Sequence, residues 1–352
     1  MADQKQGGIA WTDATFNPVR GCRKLSAGCV HCYAAELSRV NPGVLGTWGA
    51  NGQRVISPDG WEARFDAWEK KAAKAGKPMR IFVNSMWDPG EGPDVNGKEG
   101  RDGPRAEYLP VLLKLVQIAR RCPHLQLQML TKRPWNLVAW WRKLAWYMTD
   151  DATGKTVEWP TNLWIGASTE DQAAADERIP WLLQLPAAVR FLSVEPMLGD
   201  LNIAPYVANL RFQRNQSTGE TRWVGAAGGE PITENEPTIN HGTCAPRLPK
   251  PIAWVIAGCE SGRGARPMGL GWVRSLRDQC VAAGVPFFFK QAMEGKNLVS
   301  LPVLDGKVWD QFPAEVAPWP KPRSPLPAAP SPPPVGAGCG GCASPTPNSP
   351  AW

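Results

Sequence analysis

Short, almost wholly apolar runs recur along the chain, separated by longer stretches whose apolar residues fall at helical spacing. Six runs read as strands buried on both faces of a parallel sheet: Arg80–Asn84, Leu125–Leu130, Leu163–Ala167, Arg190–Val194, Ala253–Ala257 and Val285–Phe289. Each is followed by polar residues or glycine. Amphipathic helices are predicted over Arg105–Arg121, Trp135–Met148, Gln172–Leu185 and Leu270–Ala283, the last closed by Gly284 as a C-cap. Strand and helix alternate, which predicts a parallel α/β fold, either a barrel or an open sheet. Its chemistry is expected at the C-terminal strand ends.

Two segments interrupt this rhythm. Asn202–Lys250, rich in Gly, Thr, Asn and Pro, reads as a long insertion, and Asp88–Gly103 as a Gly-rich loop of the kind that often covers a substrate. From Pro313 to Trp352 the chain holds 13 of its 36 prolines and only three charged residues, too little apolar surface to bury. The expected organisation is one α/β unit over 1–312, with its insertion at about 202–250, and a disordered or polyproline-like tail over 313–352. No internal repeat suggests a solenoid or propeller.

At 352 residues, with 43% hydrophobic and 20% charged residues, the chain has ample material for a large core. Its formal charge of +7 favours polyanions mildly, but no dense Lys/Arg block singles out such a partner. The first ten residues lack a signal pattern, and no run approaches the ~18 apolar residues of a membrane helix, so a cytoplasmic location without membrane attachment is expected. Eighteen tryptophans raise base stacking as a possibility, best exemplified by Trp140, Trp141, Arg142 and Lys143. Their helical spacing favours core packing instead.

The sharpest chemical signal is Cys22-Arg23-Lys24-Leu25-Ser26-Ala27-Gly28-Cys29-Val30-His31-Cys32. Nine cysteines is an odd number for a disulfide framework, and three of them crowd into eleven positions, a pattern of ligation. Thiolates suit iron-sulfur clusters and zinc. A structural zinc site wants four protein ligands, and only His31, wedged between Cys29 and Cys32, offers a fourth. Three cysteines without a fourth match a 4Fe-4S cluster with one iron left open. Reduced cysteines that merely pack are the remaining alternative. Cys339-Gly340-Gly341-Cys342 has a redox or metal spacing, but two ligands make no specific site.

Seven further stretches carry a resemblance: Ile9–Pro18, Phe82–Met86, Leu130–Pro134, Gly166–Asp171, Phe191–Pro196, Gly258–Gly262 and Phe288–Gln291. Together with the cysteines they resemble the phage-associated, three-cysteine branch of the radical S-adenosylmethionine-like proteins. The resemblance implies a partial triosephosphate-isomerase-like (β/α) barrel with a 4Fe-4S cluster on Cys22, Cys29 and Cys32. Its open iron would bind S-adenosylmethionine for reductive cleavage to a 5′-deoxyadenosyl radical, the cofactor performing the hard chemistry. It also implies an electron donor such as a flavodoxin or ferredoxin. The cysteine spacing of six and two residues departs from the superfamily's commonest three and two, and Cys259 stands where a second glycine is usual.

On this reading Asn84, Ser85 and Asp88 receive the cofactor's amino group, and Ser168 with Glu170 holds ribose hydroxyls. The bland alternative makes Ser168 to Asp171 a helix cap. Lys132 and Arg133 are expected to meet a carboxylate or phosphate. Glu195, Glu260 and Lys290 are candidate catalytic residues, with Glu195 alternatively paired to Arg133. The substrate is open: nucleic acid or a modified base follows from the phage association and the charge, and a peptide or partner protein stands equally. The alternative function is a non-catalytic iron-sulfur or zinc module binding nucleic acid or protein on a barrel scaffold.

Overall fold

The computed structural model describes residues 8–147, 158–207, 211–214, 221–224, 252–262 and 264–314. Most of the insertion, nearly all of the Pro-rich tail, and Cys339 and Cys342 lie outside them. At the centre is an eight-stranded sheet of β1 (Ala14–Thr15), β2 (Met79–Phe82), β3 (Leu125–Thr131), β4 (Leu163–Ser168), β5 (Arg190–Val194), β6 (Trp254–Gly258), β7 (Phe287–Glu294) and β8 (Asn297–Ser300). The strands lie side by side in chain order. β1 to β7 are parallel, and β8 turns back antiparallel on β7.

Parallel neighbours need long crossovers, and helices supply them. α1 (Tyr33–Val40) and α2 (Ala63–Ala75) precede β2, α3 (Leu109–Arg121) precedes β3, α4 (Pro134–Tyr147) precedes β4, α5 (Gln172–Leu183) precedes β5 and α6 (Leu270–Ala283) precedes β7. The six predicted strands and four predicted helices all form, within a few residues of their expected ends. α6 ends at Gly284 with φ +68°, the left-handed C-cap its glycine foretold. β1, β8, α1 and α2 were not foreseen.

Side chains alternate across each strand. Ile81, Leu127, Ile165, Leu192 and Val255 face one apolar cluster, which also contains the inner sides of the helices. Phe82, Trp164, Phe191, Trp254 and Phe288 face a second, aromatic cluster around Trp11. In a flat sheet β2 and β6 stand four spacings, or about 19 Å, apart. Trp11 nevertheless touches Phe82 of β2 and Trp254 of β6, with ring centroids at 4.7 and 6.2 Å. The sheet is thus curled into a half-barrel, helices on its convex side and aromatic rings filling its concave side.

Trp140 and Trp141 are buried and pack edge-on against Trp159, so they are core residues rather than a stacking surface. The loop over 88–103, expected as a cover, is tied to the body of the fold by ion pairs. Buried Glu91 pairs with Arg54 and Arg105, Glu99 with Arg133, and Asp94 with Arg23.

Candidate functional site

A cavity of about 580 Å³ opens at the C-terminal ends of the strands. Cys22, Cys29 and Cys32 all line it, as free thiols. They ride on an irregular loop with a single short turn, Ala27–Cys29, and Cys32 is the N-cap of α1. At the loop's start Gly21 has φ +102°, and a Cβ there would stand 2.7 Å from the Gln53 carbonyl. Desolvation pushes the Cys22 thiol well up, against the pull of Arg133. Cys32 is likewise raised by burial, opposed by the backbone amides of Ala35 and Ala34 at the start of α1.

Residues just past three strands clamp this loop. Past β3, Arg133 is 1% exposed, donates to the Arg23 carbonyl at 2.8 Å and pairs with Asp88 at 2.8 Å. Past β4, fully buried Glu170 accepts from the Ser26 hydroxyl and, at 3.4 Å, from the Gly28 amide. Lys132 and Arg178 neutralise it at 2.9 and 2.8 Å. Past β6, Glu260 takes His31 Nδ1 at 3.0 Å and Arg266 Nη2 at 2.6 Å, and the same Arg266 amino group donates to the Ala27 carbonyl at 2.9 Å. A Cβ on Gly28 would lie 2.9 Å from the Glu170 carboxyl carbon, so only glycine permits this approach.

The electrostatics follow from these partners. Burial alone would raise the Glu170 carboxyl, but Lys132 and Arg178 hold it well below the usual carboxylate range. Asp88, also desolvated, is held down by Arg133 and Thr131. For Glu260, desolvation is outweighed by Arg266 and His31, which bring its pKa down to about 2.

These contacts give several expected ligand residues partners within the protein, although Asn84, Asp88, Lys132 and Arg133 all line the cavity. Asn84 spends its amide on the Trp87 and Leu130 carbonyls and accepts from the Leu130 amide, locking β2 to β3. Asp88 accepts from Gly90 N, Thr131 Oγ1, Lys132 N and Arg133, leaving no open lone pair for an amino group. Glu170 does not line the cavity, because the cysteine loop occupies it. The α5 cap falls on Asp171, which accepts from Ala174 N at 2.8 Å, while Ser168 lines the cavity. Ser85 lines it too, its hydroxyl accepting from Asn17 at 2.9 Å. Glu195 pairs with Lys290 at 3.3 Å rather than with Arg133.

The partners that sequence reasoning missed are Ser26 and Arg178. Arg178 reaches back over the N-terminus of α5 to Glu170, which precedes the helix, a contact that no helical spacing rule announces. Among the described residues no three His, Cys, Asp or Glu side chains gather closely enough to hold one metal ion. No described helix is long and apolar enough to cross a membrane.

No curated protein and no solved structure matches the chain. A family model does, the one described as "Protein of unknown function (DUF5131)", over residues 6–313. That span takes in every strand, the cysteine loop and all three clamps, and the chain belongs to the DUF5131 family.

Proposed function

We propose that the chain is a radical S-adenosylmethionine-type enzyme on a partial triosephosphate-isomerase-like barrel, with Cys22, Cys29 and Cys32 holding a 4Fe-4S cluster. The observation that carries this reading is a loop of three free thiols, anchored by charged residues from three strand ends and opening on one cavity.

The donor set fits the group. Thiolates are the ligands iron-sulfur clusters require, and each binds its own iron, so the three need not converge on one point. A closed zinc site asks for four donors around one ion at about 2.0–2.3 Å. His31 holds Glu260 through Nδ1 and keeps Nε2 for another partner, so zinc on that nitrogen is the outcome that metal analysis decides. When bound, the cluster and S-adenosylmethionine supply one-electron cleavage of a sulfonium carbon–sulfur bond, yielding a 5′-deoxyadenosyl radical.

The chain's own residues do the rest. Arg133, Glu170 and Arg266 fix the thiol loop without regular secondary structure. Lys132 spends one ammonium hydrogen on Glu170 and keeps the others for a carboxylate, a role Arg133 cannot share because its guanidinium is engaged. Ser85 and Ser168 offer hydroxyls along the wall. Trp11, Phe82 and Leu130 supply an apolar lining that excludes water from a reactive intermediate. The electron comes from an external donor of flavodoxin or ferredoxin type.

Anaerobic purification tests the reading. It expects roughly four irons and four sulfides per chain, a brown chromophore, and 5′-deoxyadenosine on reduction with S-adenosylmethionine present. Alanine at Cys22, Cys29 or Cys32 removes the chromophore. Stoichiometric zinc with no cleavage refutes it and favours a non-catalytic metal module.

A further inference from the structure

The acids around the cavity divide into two kinds. Asp88, Glu170 and Glu260 are filled by donors from the cysteine loop and its supports. Glu195, past β5, is not. Its Oε2 accepts from Ser193 Oγ at 3.2 Å, while its Oε1 is shielded from solvent and has no hydrogen-bond donor. Lys290 Nζ lies 3.3 Å from Oε1, within ion-pair reach but out of hydrogen-bond alignment. A buried acceptor left without a donor is unfavourable, and such groups in folded proteins call for an explanation.

Two backbone features set up this pair. A Cβ on Gly258 would stand 2.9 Å from Glu195 Oε1, so glycine at the end of β6 makes room for the carboxylate. The β6–β7 register shifts between Ala257 and Gly258, which pair with Phe289 and Gln291 and leave Lys290 as the extra, unpaired residue. Bulges of this kind re-aim side chains beside active sites. Gln291 then fastens the far side by donating to the Cys259 carbonyl at 2.8 Å.

From this geometry we propose that the β5–β7 end of the cavity is a nucleobase subsite, the Glu195 carboxylate turning off the β6 backbone to accept a ring N–H and Lys290 donating to the neighbouring carbonyl. The lactam edges of guanine and uracil present that donor beside that acceptor. The Glu195–Lys290 pair has no net charge, so a neutral ligand leaves no charge unbalanced in a desolvated place. Trp11 and Phe82, buried at the edge of the cavity, keep its wall apolar beside this pair. Calling the base a substrate rests on the proposed radical chemistry; its binding does not.

The experiment is calorimetric titration of the full chain with guanosine and with 1-methylguanosine, whose ring N–H is blocked. Guanosine is expected to bind, and 1-methylguanosine to bind roughly tenfold to a hundredfold more weakly. Glu195→Gln and Lys290→Met are each expected to weaken guanosine by a similar factor, with circular dichroism confirming the fold. Equal binding of the two nucleosides, no binding, or binding indifferent to both substitutions overturns the proposal. So does preferential binding of glycine, a zwitterion, or displacement of guanosine by S-adenosylmethionine, which would give this end to the cofactor's adenine. Iron content and 5′-deoxyadenosine are read on the same preparation. If both are absent while guanosine binding still depends on Glu195, the radical reading fails and the subsite stands.

Discussion

Glu170→Gln tests the clamp most directly, because it keeps the side chain's shape and removes its charge. Lys132 and Arg178, 2.9 and 2.8 Å away in the native protein, would then face a neutral amide. Removing one partner of a buried ion pair costs about 3–5 kcal/mol. Lys132 is 16% exposed and recovers some hydration, and the glutamine oxygen still accepts from Ser26 or Gly28, so the lower end, about 3 kcal/mol, is expected. At about 2.1 cal/mol/K per residue over roughly 300 folded residues, the unfolding entropy is about 0.6 kcal/mol/K and Tm falls by about 5 °C. Urea unfolding gives the free energy, and the rate at which a soluble disulfide reagent labels Cys29 reports on the loop itself. Faster labelling together with lower stability is expected. A change below about 1 kcal/mol with unaltered labelling would refute the claim that Glu170 anchors the cysteines.

Gly28→Ala places a methyl 2.9 Å from the Glu170 carboxyl carbon, and crowding of this order costs about 1–3 kcal/mol, measurable by the same unfolding curves. Gly166→Ala drives a Cβ into the ring of fully buried Phe191; strong destabilisation is expected, with partial rescue by Phe191→Leu in the double variant. Glu260 has a folded pKa of about 2 against about 4.5 when free, so its contribution is present above pH ~4.5 and is lost as pH falls towards 2. Thermal melts between those values should show a slope that Glu260→Gln flattens. A His31→Ala variant should retain part of that slope, since Arg266 remains on Glu260.

The parallel α/β framework was legible because strands buried on both faces are nearly continuous apolar runs, as Arg190–Val194 illustrates. β1 was not, because two residues carry no periodicity, and β8 reads Asn-Leu-Val-Ser, an edge with little to bury. α2 was harder to see because its apolar stripe, Phe65, Trp68 and Ala72, is narrow and set among six charged residues. The cysteine loop was plain from its spacing. Its supports were not, because Ser26 and Glu170 are 144 residues apart and His31 and Glu260 are 229 apart. Sequence shows that acids stand at strand ends; which donors reach them depends on the curl of the sheet.

That dependence explains why strand-end residues were read as ligands of a cofactor when several are struts. An irregular loop has few backbone partners of its own, and its carbonyls and amides must be satisfied from outside. The half-barrel brings the ends of β3, β4 and β6 against it, so Arg133, Glu170 and Arg266 are consumed there. A buried acid used this way needs its own cations, which removes Lys132 in part and Arg178 wholly from ligand duty. Whatever fills the cavity therefore meets hydroxyls of Ser85 and Ser168, the remaining Lys132 donors, and the Glu195–Lys290 pair. The last lies at β5 and β7, which make none of the three clamps, so under the proposal above a second ligand, distinct from one held at the thiols, has its polar contacts there.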